Sequence, residues 1–295
     1  MEFSISRGEW YALACGFLWA VNSLILRTQV VELEPRVVNM IRCGAAGTLL
    51  CLALPLGGSV SNLTQVPALE WALLFGSLLF GVVIGDTLYI GALKEIGVSR
   101  TMPIAGTYPL TTLVFEWLFF DHFAGPMLIA GSLLVVAGVI VMTIGANSSS
   151  LEAATTTKIG VALAVSAALF WGLSCALLKP GSANMSGIHA NAIRMPAVVV
   201  ILFLSVAVPN GLQPLRNLNR RSVTIVAVSG LVSMGLVSIL FVDALKDGSA
   251  TKIVTLTSTS PLFALILAVL FLKERPSARL LVGSALCLTG VFLVL

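Results

Sequence analysis

Residues 90–112 read IGALKEIGVSRTMPIAGTYPLTT and residues 242–264 read VDALKDGSATKIVTLTSTSPLFA. Set one above the other, they share Ala-Leu-Lys at 92–94 and 244–246 and a proline at Pro109 and Pro261, at a constant offset of 152 residues. The offset carries outward in both directions. Trp19 meets Trp171, Asn39 and Arg42 meet Asn191 and Arg194, and Gly131, Ser132 and Gly138 meet Gly283, Ser284 and Gly290. Apolar residues coincide often in so hydrophobic a chain, but Trp, Arg, Asn, Lys and Pro at one fixed spacing do not. The chain is one unit written twice.

The unit belongs in lipid, because 58% of residues are apolar, only 10% are charged and the mean hydropathy is +1.02. A spanning helix needs about 20 mostly apolar residues. The apolar stretches predict ten spans, near 8–27, 36–56, 69–92, 101–120, 126–146, 159–179, 189–209, 222–245, 252–272 and 278–295. The first carries Trp19 and Asn22 and is followed by no A-x-A cleavage site, so it is expected to be a retained helix and not a signal peptide. The Ser/Thr-rich run ANSSSLEAATTTK at 146–158 separates the copies. The expected organisation is a first repeat over 1–147, a linker over 148–158 and a second repeat over 159–295. Five spans per repeat is an odd number, so the second repeat enters the membrane from the opposite side. The fold class expected is therefore all-α integral membrane, ten helices as two inverted five-helix repeats, an arrangement typical of secondary transporters with sites at the interface of the halves.

Several function classes are disfavoured. Cys15, Cys43, Cys51, Cys175 and Cys287 lie singly within predicted spans, without C-x-x-C spacing or a histidine cluster, so neither disulfides nor a metal is expected. The net charge of +4 is spread over loops with no basic, aromatic-interleaved stripe, so nucleic acid is not an expected partner. There is no H-E-x-x-H, no G-x-S-x-G and no acidic metal cluster, and no cofactor or enzymatic activity is expected.

Charges inside spans carry the most information, since one at a helix centre costs roughly 2.5–3.5 kcal/mol on insertion scales. Arg42 and Arg194 lie about two turns into their helices, roughly 9 Å from the ends. Their symmetric placement predicts a structural role, holding the second and seventh helices to carbonyls of a neighbour, with substrate contact as the alternative. Asp243 and Lys246 predict a solvated i, i+3 pair. Glu116, late in its span, is expected near the interface. Asp86 differs. It precedes Lys94 by eight residues, roughly 12 Å along the axis, too deep for a short side chain to reach water. Gly81 and Gly85 thin the helix before it, and its repeat partner is the uncharged Ser238. A proton-exchanging carboxyl on a transport path and a hydrogen-bonded structural aspartate are both open readings.

The fourth and ninth spans concentrate hydroxyls ahead of a proline, in TMPIAGTYPLTT at 101–112 and TKIVTLTSTS at 251–260. A proline frees a backbone carbonyl, tolerable at membrane depth only where side chains, water or solute satisfy it. The hydroxyls therefore either wall a cavity or bond back to their own helix as packing groups. Trp10, Trp71 and Trp117 fall near span ends, as interfacial belts require. Trp19 and Trp171 lie deeper and are expected to pack between the first helices and the cavity.

Over essentially its whole length the chain resembles the EamA-type branch of the drug/metabolite transporter superfamily. The pattern is a Trp in the first helix of each repeat, an Arg in the second, A-L-K closing the third, a Pro in the fourth and G-x6-G in the fifth. The acid expected after the fourth helix is Glu274 within FLKER; in the first repeat the equivalent position is His122, preceded by Asp121. The resemblance implies a ten-helix carrier of small organic solutes, commonly amino acids or related metabolites and often outward, with a cavity lined by the third and fourth helices of each repeat. Carried over to this sequence, it points to Asp86, Tyr89, Thr107, Tyr108 and Thr111, and to Ser238, Phe241, Thr257, Ser258 and Ser260. Other classes weighed are a channel, a non-transporting receptor or structural protein, and a carrier of nucleotide sugars or drug-like solutes.

The partners expected are a small-molecule solute and membrane lipid, for a monomer or weak homodimer. Of the Lys and Arg residues near span ends, eleven fall after odd-numbered spans, among them Arg100, Arg220 and Arg279. Arg7, Lys179, Lys246 and Lys252 fall on the other face. The positive-inside rule then predicts a multi-pass protein of the inner or plasma membrane with both termini outside.

Overall fold

The structure, a computed structural model, describes residues 5–26, 33–143, 158–211, 213–216, 218–272 and 277–295. The expected linker at 148–158, except for Lys158, and Glu274 lie outside the described residues. Every regular element among those described is helical, with no strand. In chain order they are α1 (Arg7–Leu26), α2 (Pro35–Leu52), α3 (Ala68–Ile96), α4 (Val98–Ala105), α5 (Tyr108–Phe120), α6 (Pro126–Thr143), α7 (Lys158–Gly181), α8 (Gly187–Asn210), α9 (Gln213–Arg216), α10 (Arg220–Ala244), α11 (Ala250–Thr257), α12 (Ser260–Leu272) and α13 (Ala278–Val294).

Six stretches among the described residues are long and apolar enough to cross a bilayer: α3, α6, α7, α8, α10 and the run Ala250–Leu267. Each coincides with an expected span. The other four expected spans fall on α1, on α2, on the α4–α5 pair and on α13.

Two departures from straight helices recur at the 152-residue offset. The first is in the fourth helix of each copy, which is broken in two. One break is at Gly106–Thr107 and the other at Ser258–Thr259, each leaving its proline as the second residue of the following segment. The interruption comes just before each proline, because the chain tightens ahead of the ring that cannot donate. The second departure has no counterpart in the sequence reading. Helix α3 passes into π geometry over Leu78–Gly85 and α10 over Leu231–Val237, and both return to α-helix at once, at Asp86 and at Ser238.

Packing follows the small residues. Helices α6 and α13 run antiparallel with backbones in contact: a Cβ on Gly138 would sit 2.6 Å from the Gly283 carbonyl oxygen, and one on Gly290 would sit 2.6 Å from that of Gly131. This is the use of a small-residue stripe between helices in lipid. Helices α2 and α8 are also antiparallel, with Gly47 against Pro196 and Gly44 against Val199. The first helix of each copy lies in the other copy: α1 packs against α10, α11 and α12, while α7 packs against α3, α4 and α5.

Candidate functional site

Asp86 owes its direction to the π segment before it. The extra residue in a π turn shifts the phase of everything that follows, and such turns are frequent at functional sites. Asn39 of α2 secures the segment by donating to the Val82 carbonyl at 2.6 Å, and Asn191 of α8 donates to the Ser238 carbonyl at 2.9 Å. The two asparagines, matched at the sequence offset, thus tie α2 to the π stretch of α3 and α8 to the residue just after that of α10.

Four helices then meet at one carboxylate. Trp171 of α7 donates its indole N–H to Asp86 Oδ1 at 2.8 Å, and Arg42 Nη1 of α2 stands 3.5 Å from Asp86 Oδ2. Arg42 Nη2 donates to Ser233 Oγ of α10 at 3.1 Å, and Ser233 in turn donates to the Ser229 carbonyl at 2.7 Å. Arg42 is therefore held by a side-chain acid and a hydroxyl, where sequence reasoning expected carbonyls. It is 7% exposed, and the Asp86 side chain is 13% exposed. Close approach is built in at Gly85, where a Cβ would fall 2.7 Å from Trp171 Cδ1.

Arg194, the repeat partner of Arg42, is 4% exposed and donates from Nη1 to Asn191 Oδ1 at 2.9 Å. No carboxylate among the described residues lies within ion-pair distance of it. Arg42 and Arg194 each keep a buried Nε with no hydrogen-bond partner among the described residues, as does the Thr87 hydroxyl beside Asp86.

The aromatic residues group around the first helices. The Tyr89 ring lies 4.8 Å from that of Trp171, and the Tyr108 ring meets it edge-on at 5.7 Å. Across the pseudo-repeat, Trp19 meets Phe241 at 5.9 Å. Tyr108 Oη and Thr257 Oγ1 are 3.2 Å apart, joining the two broken helices.

The hydroxyls of those helices bond to backbone. Thr107 donates to Ile104 O at 2.7 Å, and Thr257 and Ser258 both donate to Val254 O at 2.8 Å. Thr111 reaches its own helix at Tyr108 O and also α7 at Ala168 O. Ser238 lies 3.4 Å from Ser233 O, and half-buried Ser260 opens α12.

Other charges fall outside this cluster. Asp243 pairs with Lys246 at 2.6 Å, as expected. Glu116 is buried and accepts from the Ala250 and Thr251 amides at 2.8 and 2.7 Å, capping α11 where the Ala250–Leu267 stretch begins. A cavity of 230 Å³ beside it, lined by Glu116, Phe120, His122, Lys179 and Pro180 among others, contains none of the cluster around Asp86. Trp10 and Trp117 are exposed near helix ends, and half-buried Trp71 in the first turn of α3 stacks on Phe75. No group of three potential metal ligands occurs among the described residues.

Ser233 was not singled out by sequence reasoning, because its role depends on a contact between copies that no spacing encodes. The signal available for Asn39 and Asn191 was their place in the repeat.

The EamA-like transporter family model matches residues 6–144 and, separately, residues 158–295. The chain belongs to the EamA-like transporter family. It is a multi-pass membrane protein, with relatives named as transporters. An uncharacterized transporter of Archaeoglobus fulgidus is 26% identical over 288 residues, covering 96% of both chains. The uncharacterized transporter YvbV of Bacillus subtilis is 24% identical, over 96% of this chain and 90% of that one. A WAT1-related chloroplastic protein of Arabidopsis thaliana is 25% identical, over 97% of this chain and 69% of its own. A solved crystal structure, 18% identical, superposes with a TM-score of 0.77 over 99% of each chain and so shares the EamA fold.

Proposed function

We propose that this EamA protein is a secondary carrier, moving a small organic solute such as an amino acid or related metabolite across the inner or plasma membrane by alternating access, and that it is not an enzyme. The observation that carries the reading is the intramembrane cluster in which Arg42 and Asp86 of the first copy are held by Trp171 and Ser233 of the second. An ionisable pair in lipid requires a reason, and solute or proton paths between the halves of a carrier are the usual one. Ten spans in two inverted halves fit the antiparallel courses of α2 with α8 and of α6 with α13, since these are equivalent helices of the two copies. The broken helices α4–α5 and α11–α12 supply interruptions about which one half rocks against the other. The residues proposed to line the path are those of α3, α5, α10 and α11 around the cluster: Asp86, Tyr89, Tyr108, Phe241 and Thr257. The protein works in lipid as a monomer or weak homodimer.

Purified protein in proteoliposomes should show saturable uptake of at least one amino acid or related metabolite, with counterflow when the same solute is preloaded inside. Unsaturable, conductive flux would assign a channel, and the absence of solute flux from folded protein would remove transport altogether.

A further inference from the structure

The buried charges of the cluster do not balance. Arg42 faces Asp86, but among the described residues Arg194 faces no acid: it donates to the neutral Asn191 amide oxygen, and its buried Nε has no partner there. Through Asn191 it is tied to the Ser238 carbonyl of α10, the helix whose Ser233 holds Arg42, yet among the described residues it closes no ion pair. Two other carboxylates among those residues are buried elsewhere: Glu9 of α1 pairs with Lys252, and Glu116 of α5 accepts from two backbone amides and the Thr251 hydroxyl at the start of α11. Arg194 is thus a buried guanidinium with no carboxylate paired to it among the described residues. A buried cation at membrane depth is stabilised by an anion, and a guanidinium with free N–H groups is shaped to grip a carboxylate by its planar fork.

We propose that Arg194 binds the carboxylate of the transported solute, with the Arg42–Asp86 pair as a neutral brace beside it. This deepens the carrier reading and rests on it. The unpaired guanidinium also selects the ligand group. A single carboxylate pairs with it through the fork, whereas a neutral amide leaves Arg194 uncompensated and a phosphate dianion brings a second negative charge that it cannot match.

The test uses purified full-length protein and three sets of probes built on glycine, leucine and phenylalanine: the free amino acid, its N-acetyl derivative with one negative charge, and the N-acetyl amide with none. Thermal stabilisation in detergent reads binding, and counterflow of the same compounds in proteoliposomes reads transport. In at least one set the carboxylate forms should half-saturate at roughly tenfold lower concentration than the amide, as a charge-assisted pair implies. Arg194→Gln should erase that preference, and Arg194→Lys, which keeps the charge without the fork, should retain part of it. Amides that stabilise the wild type as well as carboxylates do, no stabilisation by any probe, or an unchanged preference in folded Arg194→Gln would each overturn the assignment. Should Arg194→Gln not fold, the Arg194→Lys comparison decides, an unaltered preference overturning it. Carboxylate-selective stabilisation without counterflow of any probe would uphold the site and remove the carrier reading instead.

Discussion

Arg42 and Asp86 are each costly in lipid and mutually dependent once there. Removing one partner of a buried pair leaves the other uncompensated, typically at about 3–5 kcal/mol, whereas removing both costs far less. Asp86→Asn can still accept from the Trp171 indole but leaves the Arg42 guanidinium opposed by no charge. Asp86→Asn and Arg42→Gln should therefore each lower folded yield and melting temperature markedly, and the double variant should be more stable than the sum of the two losses. Strict additivity in melting experiments would mean that the pair contributes nothing. Transport separates the two open readings of Asp86: as a proton-exchanging group its asparagine variant loses gradient-driven accumulation while keeping downhill exchange, and Asp86→Glu stays partly active. As a brace alone it would leave the pH profile of uptake untouched in whatever protein folds.

Among the elements, α6 and α13 are joined by the closest backbone contact described above. A leucine at Gly138 has no room beside the Gly283 carbonyl and Cys287, whereas a Cβ at Gly125 meets nothing within 4 Å. Gly138→Leu should abolish most of the monodisperse protein recovered on gel filtration. Gly125→Ala should change stability by no more than about 0.5 kcal/mol. Equal recovery of the two variants would show that the helices separate without consequence. The elements also mark where the sequence was readable. Gly131, Gly138, Gly283 and Gly290 were visible as a repeated stripe, and Pro109 and Pro261 announced an irregularity in the fourth helices, because both signals are local and recur. The π segments were not visible: LLFGVVIG and LVSMGLV hold no residue that forbids an α-turn. Asn39 reaches the first of them from α2, at the Val82 carbonyl, and Asn191 reaches from α8 to Ser238, just past the second. Arg42 was legible as a buried charge, but its partners Asp86 and Ser233 were not, since one lies 44 residues away and the other in the second copy.

For the whole molecule, the arrangement in the membrane follows from charge outside it. Eleven basic residues on one set of loops against four on the other predict, by the positive-inside rule, that both termini lie outside. A reporter active only in the cytoplasm, fused after Leu295, should stay silent, and one inserted near Arg100 should be active. The reverse pattern would invert the orientation without touching the cluster, which lies between the copies and not at either face.

The exchange of first helices has a consequence for synthesis. α1 leaves the ribosome first, yet α10, α11 and α12, against which it packs, emerge roughly 200 residues later. At about 5–20 residues per second that interval is on the order of 10–40 seconds. Throughout it, Asn22, which ends up accepting from Ser229 Oγ at 2.7 Å, has no mate from the second copy. The nascent helix must be sheltered by the insertion machinery or wait among lipids with a polar group exposed. The two copies are thus interlocked through their first helices, and the packing of α1 cannot be completed before the second copy has been made.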